Sequence, residues 1–244
     1  MHRLNPFFIA LQFLTRIPVS FTYTPSPKQI GQSILYYPAV GLVIGIILVF
    51  LDAILSNTND LLRSAIILTT WIFITGALHL DGLADSADAL VGGFGDKEKT
   101  LSIMKDPYCG PVAVVTLIAI LLIKFAALVA IPASENLALL LTPFIARSTV
   151  LLLFLTTPYI QKDGIAQLLA TQFPKKATIW MLIFIVTIII LLLHTKAFAL
   201  IAGTCLIVFL LRNLMMKSLG GMTGDTIGAT IVTTETTLLI LFTL

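Results

Sequence analysis

Long apolar stretches recur along this chain and restrict it to folds in which helices cross a membrane. About 20 predominantly apolar residues are enough for a helix to span a bilayer. Seven stretches approach this length: Ser33–Leu55, Leu61–Leu80, Pro111–Ile131, Leu137–Thr156, Ala177–His194, Ala197–Leu211 and Ile227–Leu244. The sixth can extend to Met216, and the seventh is the most polar, with four threonines around Glu235. Only 11% of the residues are charged, against about 25% in soluble domains. The sequence therefore predicts an all-α, polytopic membrane bundle that forms one domain over residues 1–244.

A shorter apolar run, Phe7 to Leu14, precedes the first of these stretches. It is too short to cross a membrane, and because Arg16 follows without a small-residue cleavage site, it is not a signal peptide. Pro6 suits the first turn of a helix. We therefore expect a helix in the membrane interface, with Arg3 and Arg16 at its two ends.

Lysine and arginine are distributed unevenly between the two sides of the predicted bundle. If all seven stretches cross, only Arg63 and Lys196 fall on the side away from the N-terminus. Eleven fall on the side of the N-terminus: Arg3, Arg16, Lys28, Lys97, Lys99, Lys105, Lys162, Lys175, Lys176, Arg212 and Lys217. Cytoplasmic loops carry the excess of positive charge, so the N-terminus is predicted to be cytoplasmic and the C-terminus outside. The polar motifs described below then share the cytoplasmic face of the cell inner membrane.

The composition also bears on partners. Membrane lipid is expected around the bundle. A net charge of +3, with no basic run interleaved with aromatic residues, indicates that nucleic acid is not a partner. Cys109 and Cys205 form no CxxC pair and suggest neither a disulfide framework nor a thiolate metal site.

Three aspartates, Asp81, Asp85 and Asp88, follow the second apolar stretch in the segment HLDGLADSADAL. On a helix this spacing places the three carboxylates within roughly 60° of arc, so like charges stack on one face. No basic residue follows His79 until Lys97. A hard divalent cation such as Mg²⁺, which prefers oxygen ligands, would compensate the charge; the alternative is an acidic helix end in solvent. His79 would face about 160° away from Asp81 on a continuous helix, so we expect it to bond to substrate or to a neighbouring helix.

Glycines precede a fourth aspartate, Asp225, in the segment LGGMTGDTIGAT. Gly220 and Gly221 leave the backbone free to approach a ligand, and Asp225 opens a predicted helix. Glycines also allow close packing of helices in membranes, and for the glycines alone that interpretation is favoured. An aspartate that follows them at a membrane face favours a ligand site.

Further polar residues lie in or beside the predicted helices. Arg147 suits contact with phosphate, and a counter-charge inside the bundle is the equal alternative. Lys105 offers a point charge for phosphate. Glu235 is expected to lie deep in the membrane, where it is either functional or paired with Lys124 or Arg147.

Taken together, the motifs resemble the cobalamin synthase family of adenosylcobinamide-GDP ribazoletransferases. The resemblance runs nearly end to end and keeps the order of the motifs. One departure is Ala89, where the aspartate motif of the family usually has glycine. The segments that carry the resemblance are Phe13-Leu14-Thr15-Arg16-Ile17-Pro18, Tyr37-Pro38, Val40-Gly41, Ile44-Gly45, HLDGLADSADAL, Met104-Lys105-Asp106 and LGGMTGDTIGAT.

The resemblance implies a Mg²⁺-dependent transferase of the last steps of cobalamin biosynthesis. A ribose hydroxyl of α-ribazole, or of its 5′-phosphate, would attack the cobinamide-linked phosphorus of adenosylcobinamide-GDP and release GMP. Asp225 would hold a second ion or accept the hydroxyl proton. A homo-oligomer, or association with other enzymes of the corrinoid pathway, is compatible with this function. Metal binding and catalysis are implied for Asp81, Asp85, Asp88 and Asp225, and substrate contacts for His79, Arg16, Lys105, Arg147, Gly220 and Gly221.

Two other functions fit parts of the sequence. A phosphotransferase of the CDP-alcohol type also has clustered aspartates at a membrane face, but its alanine–arginine pair is missing, since Ala84 is followed by Asp85. A small transporter would explain charges inside helices. Transporters typically show two matching halves with broken helices at the midplane, and no such halves are evident in this sequence.

Overall fold

The computed structural model describes residues 6–20, 24–132, 135–161 and 164–244. Arg3 and Lys162, which entered the charge count, lie outside the described residues. Within these ranges the chain forms α-helices and one 3-10 turn (Ile34–Tyr36), without a β-strand, so the predicted all-α bundle is confirmed. The helices are α1 (Pro6–Leu14), α2 (Pro27–Ser33), α3 (Tyr37–Ile54), α4 (Asp60–Thr75), α5 (Leu78–Gly92), α6 (Lys97–Ile103), α7 (Pro111–Ala130), α8 (Asn136–Thr156), α9 (Ile165–Thr171), α10 (Lys175–Leu193), α11 (Thr195–Ser218) and α12 (Gly224–Phe242).

Six helical stretches are long and apolar enough to cross a membrane, by length and composition. Among the described residues these are α2 with α3, then α7, α8, α10, α11 and α12, and α4 with α5 makes a seventh if the bent pair is one span. The multi-pass architecture is therefore confirmed. The sixth predicted stretch extends to Ser218, and the polar seventh is a full helix from Gly224 to Phe242.

The second predicted span, Leu61–Leu80, is wrong as one helix. Helix α4 ends at Thr75, and α5 leaves it at an angle of 86°. Gly76 and Ala77 both adopt the left-handed conformation, with φ of 61° and 57°. A left-handed residue commonly ends a helix, and two in succession turn the chain. Ala77 carries a Cβ that makes this conformation unfavourable. An alanine at this position therefore does not predict the break.

The break lies beside the first turns of α12, since a Cβ on Gly228 would lie 3.3 Å from the Cα of His79. His79, just after it, lines a small cavity with Lys124 and Glu235, which belong to the middle turns of α7 and α12. At its other end α5 reaches the residues where α7 begins. A bend this sharp makes α4 and α5 a broken span or a re-entrant segment, and the aspartates lie on the second helix.

Helices α8 and α12 occupy the centre of the bundle, where 14 of 21 and 13 of 19 residues are buried. Helix α3 packs directly on α8: a Cβ on Gly45 would lie 2.5 Å from the carbonyl oxygen of Leu140, and one on Gly41 would meet the backbone of Pro143. Small residues permit such close helix contact in membranes. Helices α10 and α11 are largely exposed, with apolar side chains such as Phe184 and Phe209 on the outside, as expected of a lipid-facing surface.

Helix α1 has the predicted bounds, and it starts at Pro6. Its buried residues include Ala10 and Leu14, which belong to the main core of the bundle. The helix therefore packs against the bundle along one side, and its position in the membrane interface stays a prediction.

Candidate active site

Two glycines bring the aspartate motif and the glycine motif together. A Cβ on Gly82 of α5 would lie 2.6 Å from the carbonyl oxygen and 2.9 Å from the Cα of Asp225. Across the same interface, a Cβ on Gly228 of α12 would lie 3.3 Å from the Cα of His79. Only glycine at position 82 allows the two backbones to come this close. Segments far apart in the sequence therefore share one site.

Three of the four predicted carboxylates gather where α5 and α12 begin. Asp81 and Asp225 belong to the first turns of these helices and line one cavity. The negative charges of both act on the half-buried Asp85. Within the described part of the chain, no salt bridge joins any of the three to lysine or arginine. The site is therefore a concentration of uncompensated negative charge.

Asp88, the fourth predicted carboxylate, has a different environment. Its two oxygens accept hydrogen bonds from the backbone N–H groups of Gly110 (2.5 Å) and Ala113 (2.8 Å), at the start of α7. The first N–H groups of a helix lack intrahelical partners and are commonly satisfied by such acceptors. Asp88 therefore caps α7 from the neighbouring helix, and its part in metal binding stays a prediction.

Both predicted phosphate-contacting glycines have structural reasons to be glycine. Gly220 has φ of 74°, and its N–H donates to the carbonyl oxygen of Met216 (3.1 Å), which ends α11. A Cβ on Gly221 would meet the carbonyl oxygen of Pro158. These contacts favour the packing interpretation of the two glycines over contact with phosphate.

The exposed Arg16 lies at the turn before α5. Its side chain covers Gly76, where any Cβ would meet the Arg16 Nε. Its backbone N–H also donates to the carbonyl oxygen of Ile74 (2.7 Å). The structure thus places a guanidinium near the N-terminus of the helix that carries Asp81, while its contact with phosphate stays a prediction.

Two lysines lie beside the glycine motif. Lys105 is exposed and directly follows Met104, whose sulfur receives a contact from the Thr223 hydroxyl at 3.9 Å. Lys97, at the start of α6, has its Nζ 3.3 Å from the position of a Cβ on Gly220. Sequence reasoning used Lys97 only for topology and missed this placement, because nothing in its neighbours indicates where α6 folds back.

Arg147 lies inside the bundle. Its Nη1 pairs with Glu235 Oε1 at 2.7 Å, and the Nζ of Lys124 pairs with Oε2 at 2.6 Å. Lys124 also lies over the ring of Trp71, 4.2 Å from its centroid. The counter-charge alternative therefore describes Arg147, and the structure does not favour its predicted contact with phosphate.

His79 stands between this ion cluster and the carboxylates. It is buried, lines the same cavity as Asp81, and is within reach of the charges of Arg147 and Glu235. Among the described residues its Nδ1 has no hydrogen-bond partner. A hydrogen bond from this nitrogen to substrate is still a prediction.

A loop segment that the sequence did not single out completes the site. The hydroxyl of Tyr159 donates to Gln161 (2.8 Å), which also accepts a bond from the N–H of Gly224 (3.4 Å). Burial and the negative charge of Asp225 raise the pKa of Tyr159. The segment therefore fixes the start of α12 from the loop after α8.

The cavity at the carboxylates has a volume of about 150 Å³ and mostly apolar walls. Asp81 and Gly224, both exposed, mark its mouth. The walls come from six helices and include Phe13, Tyr37, Leu78, Val150, Phe154, Ala166 and Ile231. Sequence reasoning missed this cavity, because its residues belong to separate apolar runs that look alike.

The donor set fits a magnesium ion that is shared with a phosphate ligand. No three His, Cys, Asp or Glu side chains among the described residues are placed to hold an ion by themselves. Mg²⁺ usually keeps several waters and binds through one or two carboxylates together with substrate phosphates. Asp81 and Asp225, which lack a cationic partner, offer those oxygens. The arrangement is therefore suited to chemistry on a phosphate ester.

Comparison with known proteins agrees with this site. The family described as cobalamin-5-phosphate synthase matches residues 6–243. A protein of Pseudomonas fluorescens Pf-5 called adenosylcobinamide-GDP ribazoletransferase is 49% identical over 96% of this chain and 97% of its own length. Proteins of the same name from Ectopseudomonas mendocina ymp (50%, 91% of each chain) and Pseudomonas putida KT2440 (48%, 92% of each chain) are similarly related. No solved structure matches. The chain therefore belongs to the cobalamin-5-phosphate synthase family.

Proposed function

We propose that this protein is a Mg²⁺-dependent adenosylcobinamide-GDP ribazoletransferase, an enzyme of the last steps of cobalamin biosynthesis. The observation that carries the proposal is the meeting of Asp81 and Asp225 at the mouth of one cavity, where two family motifs cross. The charges of both also act on Asp85. The names of the relatives supply the substrate adenosylcobinamide-GDP and the transferred ribazole. The relatives span the same length as this chain, so the assignment concerns the whole protein.

The reaction is a displacement at phosphorus. A ribose hydroxyl of α-ribazole, or of its 5′-phosphate, forms a new P–O bond to the cobinamide-linked phosphorus. The bond from that phosphorus to the bridging oxygen breaks, and GMP leaves with the electron pair. The hydroxyl proton passes to a base, so the products are adenosylcobalamin, or its 5′-phosphate, GMP and a proton. Such displacements need mainly positioning and stabilisation of oxygen charge.

The carboxylates supply the metal and proton parts of this reaction. A bound Mg²⁺ would neutralise charge on the diphosphate oxygens. Asp81 and Asp85, on adjacent turns of α5, would hold that ion with the substrate. Asp225, across the Gly82 contact, would complete the ligand set or accept the hydroxyl proton.

Positive groups surround the same mouth. The N-terminal turns of α5 and α12 present backbone N–H groups and the positive ends of helix dipoles, which favour phosphate. Half-helices that begin inside a membrane protein bind anionic substrate groups in this way. Arg16 and Lys97 lie beside these turns and would contact phosphate from outside. The face that carries them is the cytoplasmic face of the cell inner membrane.

Purified protein in detergent, supplied with adenosylcobinamide-GDP, α-ribazole and Mg²⁺, should form adenosylcobalamin and GMP in equal amounts, measured by liquid chromatography. Chelation of divalent ions should stop the reaction, and Mg²⁺ should restore it. Asp81→Asn should reduce turnover by at least about 10²-fold, whereas Asp60→Asn, an exposed carboxylate at the start of α4, should not. Transfer from a CDP-alcohol, with no use of adenosylcobinamide-GDP, would overturn the proposal.

A further inference from the structure

The cavity beside the carboxylates is too small for most of either substrate. Sites for drug-sized ligands typically measure about 300–1,000 Å³, and this cavity has about 150 Å³. An engineered apolar cavity of about 150 Å³ binds benzene. The cavity therefore suits one flat ring system, and a corrin ring stays outside.

The walls select for a ring with few polar atoms. Phe13, Val150 and Ile231 contribute apolar side chains, and the polar side chains that line the cavity are those of Tyr37, His79, Asp81 and Asp225. Guanine carries donors and acceptors on several edges. These walls would leave many of them without hydrogen-bond partners, which disfavours binding. A benzimidazole has one free ring nitrogen and otherwise apolar edges. His79, 4% exposed, lines the cavity, and its Nδ1 has no partner among the described residues.

We propose that this cavity binds the benzimidazole base of α-ribazole, so that the nucleoside enters base first. This inference rests on the proposed function. The base packs between Phe13, Phe154 and Ile231, and His79 bonds to its free nitrogen. Because the ribose is joined directly to the base, its hydroxyls then lie at the mouth between Asp81 and Asp225. The cavity thereby selects the nucleophile and aims it at the phosphorus.

The test fills the cavity from the wall that α9 contributes. Ala166, on the short helix α9, lines the cavity and is half-buried, and Ala170 lies one turn further along the same helix outside the wall. Ala166→Phe should raise the KM for α-ribazole at least about tenfold, because a poor fit in an apolar pocket changes kcat/KM by about 10–200-fold. The KM for adenosylcobinamide-GDP should stay within twofold. Ala170→Phe should change neither. Ala166→Leu gives a smaller change in the same direction and serves if the Phe variant does not fold.

Inhibition of the unmodified protein gives a second measurement. Free dimethylbenzimidazole should compete with α-ribazole and not with adenosylcobinamide-GDP, and guanine should do neither. An unchanged KM for α-ribazole in both Ala166 variants, or no competition by the free base, would overturn the inference while adenosylcobalamin formation by the unmodified protein still supported the proposed function. A rise in the KM for adenosylcobinamide-GDP alone would assign the cavity to that substrate instead. If the unmodified protein forms no adenosylcobalamin, both the proposed function and this inference are wrong.

Discussion

At the scale of single residues, carboxylates with similar neighbours in the sequence have different roles in the structure. Asp81 and Asp225 lie at the cavity mouth without a cationic partner, Asp88 caps a helix, and Glu235 is bound by two cations in the bundle. The difference lies in what each side chain meets. Two predictions follow from these separate environments.

Asp85 and Asp225 should act as one unit. Asp85→Asn and Asp225→Asn should each lower kcat/KM by about 10²-fold or more, and the double variant should lose much less than the product of the two losses, because both serve one metal and one substrate. Each single variant should also need more Mg²⁺ for half-maximal activity. Steady-state kinetics over a range of Mg²⁺ concentrations measures both effects, and losses that multiply fully would contradict a shared site.

Glu235→Gln should destabilise the protein by about 3–5 kcal/mol, because it leaves the charges of Lys124 and Arg147 buried without their counter-ion. The matched control is Glu135→Gln, which removes the partly exposed pair with Lys196 (2.8 Å) and should cost about 0–1 kcal/mol. Thermal unfolding in detergent measures both variants. Equal melting temperatures for the two would show that the buried cluster is not structural.

At the scale of helices, the site depends on two features of α5. The left-handed pair at Gly76 and Ala77 lets α5 run at 86° to the axis of α4. Gly82 then lets α5 lie directly on the first turn of α12. Without either feature, the aspartates and Asp225 would stand on separate helices.

Gly82→Ala should therefore separate the two motifs. The new Cβ meets the backbone of Asp225, which cannot rotate away, so we expect a loss of about 1–3 kcal/mol in stability and a parallel loss of transferase activity. Gly224→Ala is the control, since a Cβ there has nothing within 4 Å. Melting temperatures in detergent should fall for the first and not for the second. A Gly82→Ala protein with normal stability and turnover would show that close packing is not required.

At the scale of the whole molecule, the helices alternate in direction, so that the residues of the site lie on one face. Helices α3, α7 and α12 begin at this face, and α5, α8 and α11 end there. With α4 and α5 as one crossing, Lys97 lies on this face and Lys196 on the opposite one. From the excess of lysine and arginine on this side of the bundle, we predict that the site face is cytoplasmic.

Cysteine labelling tests this orientation. In a background with Cys109 and Cys205, both exposed, replaced by serine, Lys97→Cys should resist an impermeant thiol reagent in intact cells and react after permeabilisation. Lys196→Cys, also exposed, should react in intact cells. Labelling of Lys97→Cys from outside would reverse the orientation.

The sequence alone determined the class of fold and the residue types of the site. Apolar length and helical periodicity report how much of a segment avoids water, and they located the crossing helices to within a few residues, except across the break. The same local information indicated that the stacked Asp81, Asp85 and Asp88 need a cation to compensate their charge. The resemblance to a family then indicated the chemistry.

Tertiary structure decided which partner each polar group has. The break after Thr75 depends on a left-handed alanine, a conformation that only packing in the folded bundle stabilises. The helix propensity of the apolar run therefore predicted a continuous helix. Asp88 accepts a hydrogen bond at the start of α7. Arg147 pairs with the carboxylate of Glu235 on α12. The cavity is formed by side chains from six helices. Hydrogen bonds, ion pairs and cavities form between surfaces that meet only in the folded bundle, whereas a single sequence records what each segment prefers by itself.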